Sequence, residues 1–274
     1  MSLFIVDEKK CKRDGACVAE CPVGIIELKD HDSVPTPAKG AGELCVHCGH
    51  CVAVCRQGAL SHVSLTPEQC PPVGNEWPLS REGVEHFLRA RRSIRTYKDK
   101  PVDRNVLGKL IDIARFAPSG HNSQPVNWLV IYDKDKVRHL AGLVVDWMGN
   151  LLEKQPLMAK AMHMDLIVDY WKAGMDAVCR SAPHLIVTHA PKDEPTAPAA
   201  CTIALTYLDL AAPSFDLGTC WAGFFNVAAT VWPPLQESLR LPEGHINFGA
   251  MMVGYPKYKY YRLPLRNEAN VTWG

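Results

Sequence analysis

The 274-residue chain has almost no net charge, with 30 Lys and Arg against 29 Asp and Glu for a formal +1. That balance provides neither the basic surface that holds a nucleic-acid backbone nor a general attraction to an anionic membrane. Long apolar runs are missing too, and none approaches the roughly 20 residues that span a bilayer. The opening MSLFIVDEKK sets a short apolar stretch ahead of its lysines, the reverse of an export signal, so a cytoplasmic setting is expected. Low-complexity tracts are absent, and 47% hydrophobic with 22% charged residues suits a folded chain long enough for two domains. There is no Gly-x-Gly-x-x-Gly dinucleotide fingerprint. No nucleophile with an adjacent base, no paired carboxylates and no catalytic triad stand out.

What the chain does have is cysteine. Eight of its eleven cysteines fall within the first 70 residues, and seven of those form two tight runs. The odd total and the lack of an export signal argue against a disulfide framework and for metal ligation. The second run, Cys45, Cys48, Cys51 and Cys55, has the spacing C-x2-C-x2-C-x3-C, in which the fourth cysteine serves the other cluster of a pair. Four thiols within eleven residues are too crowded for the usual zinc site, which uses Cys pairs across a longer loop. Gly49 keeps side-chain bulk away and frees backbone N–H groups to face inorganic sulfur.

The first run, Cys11, Cys17 and Cys21-Pro22, follows the same grid except that Asp14 stands where a cysteine is expected. Residues 1 to about 65 thus resemble the two-cluster bacterial-type ferredoxins. The crossover rule assigns Cys45, Cys48, Cys51 and Cys21 to one cluster and Cys11, Cys17 and Cys55 to the other, with Asp14 at the open corner. A carboxylate is a harder ligand than thiolate, so that second cluster is either [4Fe–4S] with Asp14 as ligand or [3Fe–4S]. Alternatively, Asp14 is a turn residue ahead of Gly15. His47 and His50 read as surface positions between ligands, Cys70 as a thiol outside the set, and Cys179, Cys201 and Cys220 as buried or pocket-lining.

Residues 66–80 carry four prolines and no periodicity, as a linker would. Beyond them, helices are expected over 81–91, from Asp103 to Pro118, and over 136–148, 157–179 and 197–212. Strands are expected over 128–132, 185–189 and 245–255. Arg91, Arg92, Ser93 and Arg95 follow the first of these helices and offer forked donors to a phosphate, or else form a charged surface turn. The loop Ala117 to Trp128 is rich in small and amide side chains that could hydrogen-bond a polar heterocycle, as many ordinary loops could.

In this order, these features resemble the nitroreductase family of FMN enzymes, over about residues 85 to 270. The resemblance implies that Arg91, Arg92, Ser93 and Arg95 surround the FMN phosphate and ribitol. It implies that Pro118, Ser119, Gly120 and Asn122 approach the flavin, often across a subunit boundary. Gly218, Thr219 and Cys220 would contact the ring, and Arg262, after Gly254-Tyr255-Pro256, the phosphate. The fold implied is α+β, a mostly antiparallel central sheet with flanking helices, preceded by a small ferredoxin-like βαβ-type iron–sulfur domain. The domains would be 1–65, a linker 66–80, and 81–274.

A homodimer with FMN at its interface is implied as well, and would give Trp147, Trp171, Trp221 and Trp232 a use beyond a single core; alternatively they fill the interior of one chain. The activity implied is an FMN-dependent reductase that relays electrons from its two clusters to FMN and on to a small oxidised substrate such as a nitroaromatic or quinone. Its donor would be a reduced ferredoxin or flavodoxin, or NAD(P)H. The alternatives are an electron carrier or redox sensor serving a protein partner, and clusters kept for structure beside a degraded flavin domain. His121 and Cys220 are candidate proton donors on position alone.

Overall fold

The computed structural model describes residues 2–30, 32–74 and 78–274. It divides into two compact units, Met1–Pro78 with His121–Ser123, and Leu79–Gly120 with Gln124–Gly274. In order, the first unit holds β1 (Phe4–Val6), α1 (Ala16–Ala19), β2 (Ile26–Glu27), β3 (Thr36–Pro37), α2 (Ala41–Leu44), α3 (His50–Ala53) and β4 (Leu60–His62). The strand–helix–strand order is present, with each strand paired antiparallel, β1 to β4 and β2 to β3. Phe4, Cys17, Ile26, Val52 and Leu60 make its core.

The repeat of the two cysteine runs is also a repeat of backbone conformation. Gly15 and Gly49 hold left-handed φ of 73° and 72° just before α1 and α3. Arg13 and His47, two residues after the first cysteine of each run, are left-handed as well. The N–H groups of Gly24 and Gly58 close matching turns onto the carbonyls of Cys21 and Cys55 at 3.1 and 3.0 Å. Beyond β4, within the expected linker, Thr66 and Gln69 cap a 3-10 turn at Pro67–Gln69, and Cys70 packs against the unit's core. Residues 75–77 of that segment lie outside the described residues.

The second unit begins with α4 (Arg81–Ala90), where the Ser80 hydroxyl accepts the Gly83 N–H, and α5 (Arg104–Ala114), capped by Asp103. Then come β5 (Asn127–Ile131), α6 (Lys134–Lys154), α7 (Pro156–Ala161), α8 (Met164–Lys172), β6 (His184–Pro191) and α9 (Ala197–Ala211). The last elements are β7 (Gly218–Trp221), α10 (Gly223–Val231), α11 (Pro233–Leu239) and β8 (His245–Gly254).

The sheet runs β5-β6-β8-β7 with every pair antiparallel, as expected for the fold. The buried strand β6 serves both faces in alternation. Ile186 packs with α5 and α9 through Leu107, Leu110, Leu205 and Leu208. Leu185 and Val187 pack on the other face with Leu140, Val144 and Phe225 from α6 and α10. Among the described residues, no helix is long and apolar enough to cross a membrane.

The structure departs from the sequence reading in two places. The helix expected over 157–179 is broken. His163 turns left-handed between α7 and α8, and beyond Gly174 the Asp176 carboxylate accepts the N–H groups of Val178, Cys179 and Ser181 at 2.8–3.0 Å, holding a non-helical turn. Strand β7 was not foreseen, because four residues are too few to show a period of two. Of the four tryptophans read as either interface or interior, Trp147, Trp171 and Trp232 belong to or pack against the unit's own core, and Trp221 is 37% exposed.

Buried His184 ties β6 to the segment before α5. Its Nε2 accepts the Val102 N–H at 2.8 Å, and Nδ1–H donates to the Tyr132 carbonyl at 2.7 Å. Burial lowers its pKa, more than the carbonyl bond raises it. A depressed histidine contributes stability that is present above its unfolded value of roughly 6.5 and is lost as pH falls through the folded value. Urea denaturation below pH ~6.5 should show a steeper acid loss in the wild type than in His184→Gln. Equal slopes would contradict this role.

Candidate functional site

None of the eleven cysteines is paired in a disulfide. One cavity of the first unit is lined by Cys21, Cys45, Cys48 and Cys51, and a second by Cys11, Asp14, Cys17 and Cys55. Each therefore brings three residues of one run together with one thiol from the other, the grouping expected from the spacing. The reason lies in the backbone. The left-handed glycine turns each run back on itself, and the short helix after it carries the last cysteine toward the opposite cavity.

These cavities fit iron–sulfur clusters on the chemistry of their donors. Burial raises the thiol of Cys17, and it pushes Cys51 up to about 11, with neighbouring cysteines adding to the effect. Such thiols give up their protons readily only to a cation that compensates the charge. A β-carbon added at Gly49 would come within 2.9 Å of the end of the Leu65 side chain, which would have to shift, and the φ of 72° would itself be strained. Asp14 is exposed, lines the second cavity, and its Oδ1 accepts the Ala16 N–H at 3.1 Å. It is thus both a turn residue and a carboxylate at the cavity. His47 and His50 are exposed, whereas His62, not singled out from the sequence, is buried beside Cys45.

The second unit contains a cavity of about 730 Å³ lined by Arg91, Arg92, Asp209, Gly218, Thr219 and Tyr255, with the C-terminal segment along one side. That volume lies in the range of cofactor pockets. Arg91 Nη1 reaches Asp209 Oδ2 at 3.4 Å and Ser93 Oγ at 3.5 Å. The Thr219 hydroxyl donates to Asp209 Oδ1, and the Ile94 N–H donates to the Thr219 carbonyl at 2.8 Å. One edge of the Arg91 guanidinium is thereby held, leaving its other donors for a ligand. Gly218 admits no side chain, since an added β-carbon would sit 2.4 Å from Ile94.

Four of the expected flavin contacts, Arg91, Arg92, Gly218 and Thr219, line this cavity. Ser93, Arg95 and Cys220 cluster beside it; Arg95 Nη1 donates to the Ser93 carbonyl at 3.4 Å. The Cys220 thiol is raised by burial, with Arg95 and Ser93 drawing it back. Pro118, Ser119 and Gly120 do not line the cavity, and the Ser119 hydroxyl instead accepts the Gln124 N–H at 2.9 Å. Asn122 belongs to the first unit, where its amide donates to the carbonyls of Val46 and His47 at 3.3 and 3.2 Å. Arg262 is exposed and does not line the cavity; besides Arg91 and Arg92, the cations that do are Lys98, Lys100, Lys257 and Lys259. Arg266 shares an adjoining cavity of about 440 Å³ with Arg91 and Arg92. His121 is exposed.

Asp209 is the residue of this site that sequence reasoning missed. It is buried, the lone charge in the apolar run Ile203 to Ala212, and that solitude was the available signal. Burial raises its pKa despite the opposing pull of Thr219 and Arg91. A raised carboxyl favours the protonated folded state, so its contribution to stability is lost as pH rises through the folded value. In FMN-stripped protein, the stability of Asp209→Asn relative to wild type should therefore increase from pH ~4 upward. A difference that is flat or declining over that range, by chemical denaturation, would contradict the assignment.

The model of the nitroreductase family matches residues 88–255, more than half of the chain, and that of a 4Fe-4S dicluster domain matches residues 9–60. A protein of Methanothermobacter thermautotrophicus named for NADH dehydrogenase/NAD(P)H nitroreductase activity is 26% identical over 184 residues, 65% of this chain and 80% of its own. A protein of the same name from Archaeoglobus fulgidus is 27% identical over 171 residues, 62% of this chain and 84% of its own. In fold, the chain is similar to a nitroreductase with bound FMN from Desulfitobacterium hafniense. That likeness has a TM-score of 0.56 and 18% identity, over 69% of this chain and 96% of the other.

Proposed function

Because the chain belongs to the nitroreductase family and carries a 4Fe-4S dicluster domain at its N-terminus, we propose that it is an FMN-dependent reductase with a built-in iron–sulfur relay, acting on a small oxidised substrate such as a nitroaromatic or quinone. The observation that carries this reading is the pairing, in one chain, of two cysteine-lined cavities with a cavity of about 730 Å³ walled by Arg91, Arg92 and Gly218. The clusters would supply single electrons, and FMN would gather them in pairs for the substrate.

The chain's own part is binding and placement. Cys21, Cys45, Cys48 and Cys51 would hold one cluster; Cys11, Cys17 and Cys55 would hold the other with Asp14 at its corner. Arg91, steadied by Asp209, and Arg92 would hold the FMN phosphate, with Lys257 and Lys259 adding positive charge. Backbone at Gly218 and Thr219 would lie along the ring. Pro118, Ser119 and Gly120, away from this cavity in one chain, would meet the flavin of a second copy. Exposed Phe116 (69%), Leu157 (88%) and Val231 (56%) support such a homodimer.

The activity itself is tested anaerobically with a nitroaromatic or quinone acceptor. Reduced ferredoxin and NAD(P)H are supplied in separate arms. Turnover is expected with at least one donor, and cluster-stripped protein should lose the ferredoxin-driven rate. No turnover with either donor, in protein loaded with both cofactors, would overturn the reading.

Two substitutions probe the cofactor contacts. Arg91→Ala should weaken FMN binding by ~1.5–3 kcal/mol, the worth of a charge-assisted bond, measured by recovery of flavin fluorescence. Unchanged affinity would remove Arg91 from the site. Asp14→Cys should hold more iron per chain than Asp14→Ala, since cysteine closes the corner and alanine leaves it open. Equal iron in the two variants would show that residue 14 faces elsewhere.

A further inference from the structure

The two cluster cavities are built on a repeated backbone, so differences between the halves stand out. One is Asp14 in place of the cysteine at position 48. Another lies seven residues past the last cysteine of each run, where the first half has Leu28 and the second has His62. His62 ends β4, opposite Phe4 of β1, and only 6% of it is exposed.

The ring's orientation is set by the turn that follows it. The His62 N–H donates to the Leu65 carbonyl at 2.9 Å and the Leu65 N–H donates back at 3.1 Å, closing residues 62–65 into a tight loop. Inside that loop the Ser64 N–H donates to His62 Nδ1 at 3.1 Å, with the Ser64 hydroxyl 2.7 Å from the same nitrogen. A backbone N–H can only donate, so Nδ1 is the acceptor and the ring proton sits on Nε2. Nε2 lies 3.5 Å from Cys45 Sγ, within range of an N–H···S bond, and Cys45 Sγ also accepts the His47 N–H at 3.4 Å.

We propose that His62 is a positioning residue that donates an Nε2–H···Sγ hydrogen bond to Cys45 and thereby raises the reduction potential of the cluster held by Cys21, Cys45, Cys48 and Cys51, a donor that Leu28 at the matching position of the first half does not provide. This rests on the reading of those cysteines as cluster ligands. The physical cause is charge. Reduction adds an electron shared over the cluster sulfurs, a buried N–H donor stabilises that added charge more than the oxidised form, and the potential rises. Leu28, at the matching position of the first half, has no polar hydrogen to donate. The relay is thereby given an asymmetry that the cysteine spacing does not contain.

The test is an EPR-monitored redox titration of the full-length, cofactor-loaded protein as wild type, His62→Leu and His62→Gln, with iron and sulfide counted in each. His62→Leu, which installs the residue of the first half, should move one cluster potential to a more negative value and leave the other in place, at unchanged iron content. His62→Gln keeps an N–H donor and should fall between the two. Both potentials unchanged in a fully loaded His62→Leu protein would overturn the proposal. Absence of iron–sulfur signals from the wild type would instead defeat the underlying reading. Should both variants fail to assemble the cluster, electron–nuclear double resonance on reduced wild-type protein with 15N-labelled histidine decides. An imidazole 15N coupling with an exchangeable proton supports the bond, and its absence refutes it.

Discussion

Neither cysteine run can enclose a cluster alone, because the last thiol of each, Cys21 or Cys55, lines the other's cavity. This sharing is the constraint on which the N-terminal unit depends. It requires the two runs to fold against each other, through the contacts of Cys17 and Val52 in one small core. Their left-handed turns at Gly15 and Gly49 bring the thiols to converge. A unit with so few core residues has little apolar burial to draw on. Metal binding and folding are therefore expected to be one event here, with the cation relieving buried thiols such as Cys51.

The second unit solves a different problem, holding a cation ready inside a cavity. Arg91 is fixed by Asp209, which is itself fixed by Thr219, whose carbonyl receives the Ile94 N–H. That chain of contacts joins the segment after α4 to α9 and β7, with Arg91 and Asp209 118 residues apart in sequence. The burial of Asp209 has an energetic cost, offset by the preorganisation of Arg91 toward the pocket. Gly218 contributes by absence, since any side chain there would collide with Ile94.

Much of this was legible in the sequence, for reasons that can be named. Ligand spacing is local, so Cys45 to Cys55 announce themselves without reference to the fold, and the departure at Asp14 is visible on the same grid. The strands around 129, 187 and 250 show as apolar runs because both faces of the sheet are covered. The break after α7 was hidden by a Met-rich apolar pattern that continues across it, with Gly174 and Asp176 the only punctuation. Asp209 and His62 act through partners 118 and 17 residues away, contacts made only by tertiary packing. Arg262 follows a motif correctly placed in sequence, yet the tail carries it away from the cavity and brings Lys257 and Lys259 there instead.

The cofactor content of the intact protein is the central claim. Anaerobically purified protein should be assayed for iron, acid-labile sulfide, zinc and FMN per chain. Two iron–sulfur clusters and one FMN per chain, both bleached by dithionite, are predicted. Zinc in place of iron and sulfide, or a chain that takes up no flavin, would contradict it.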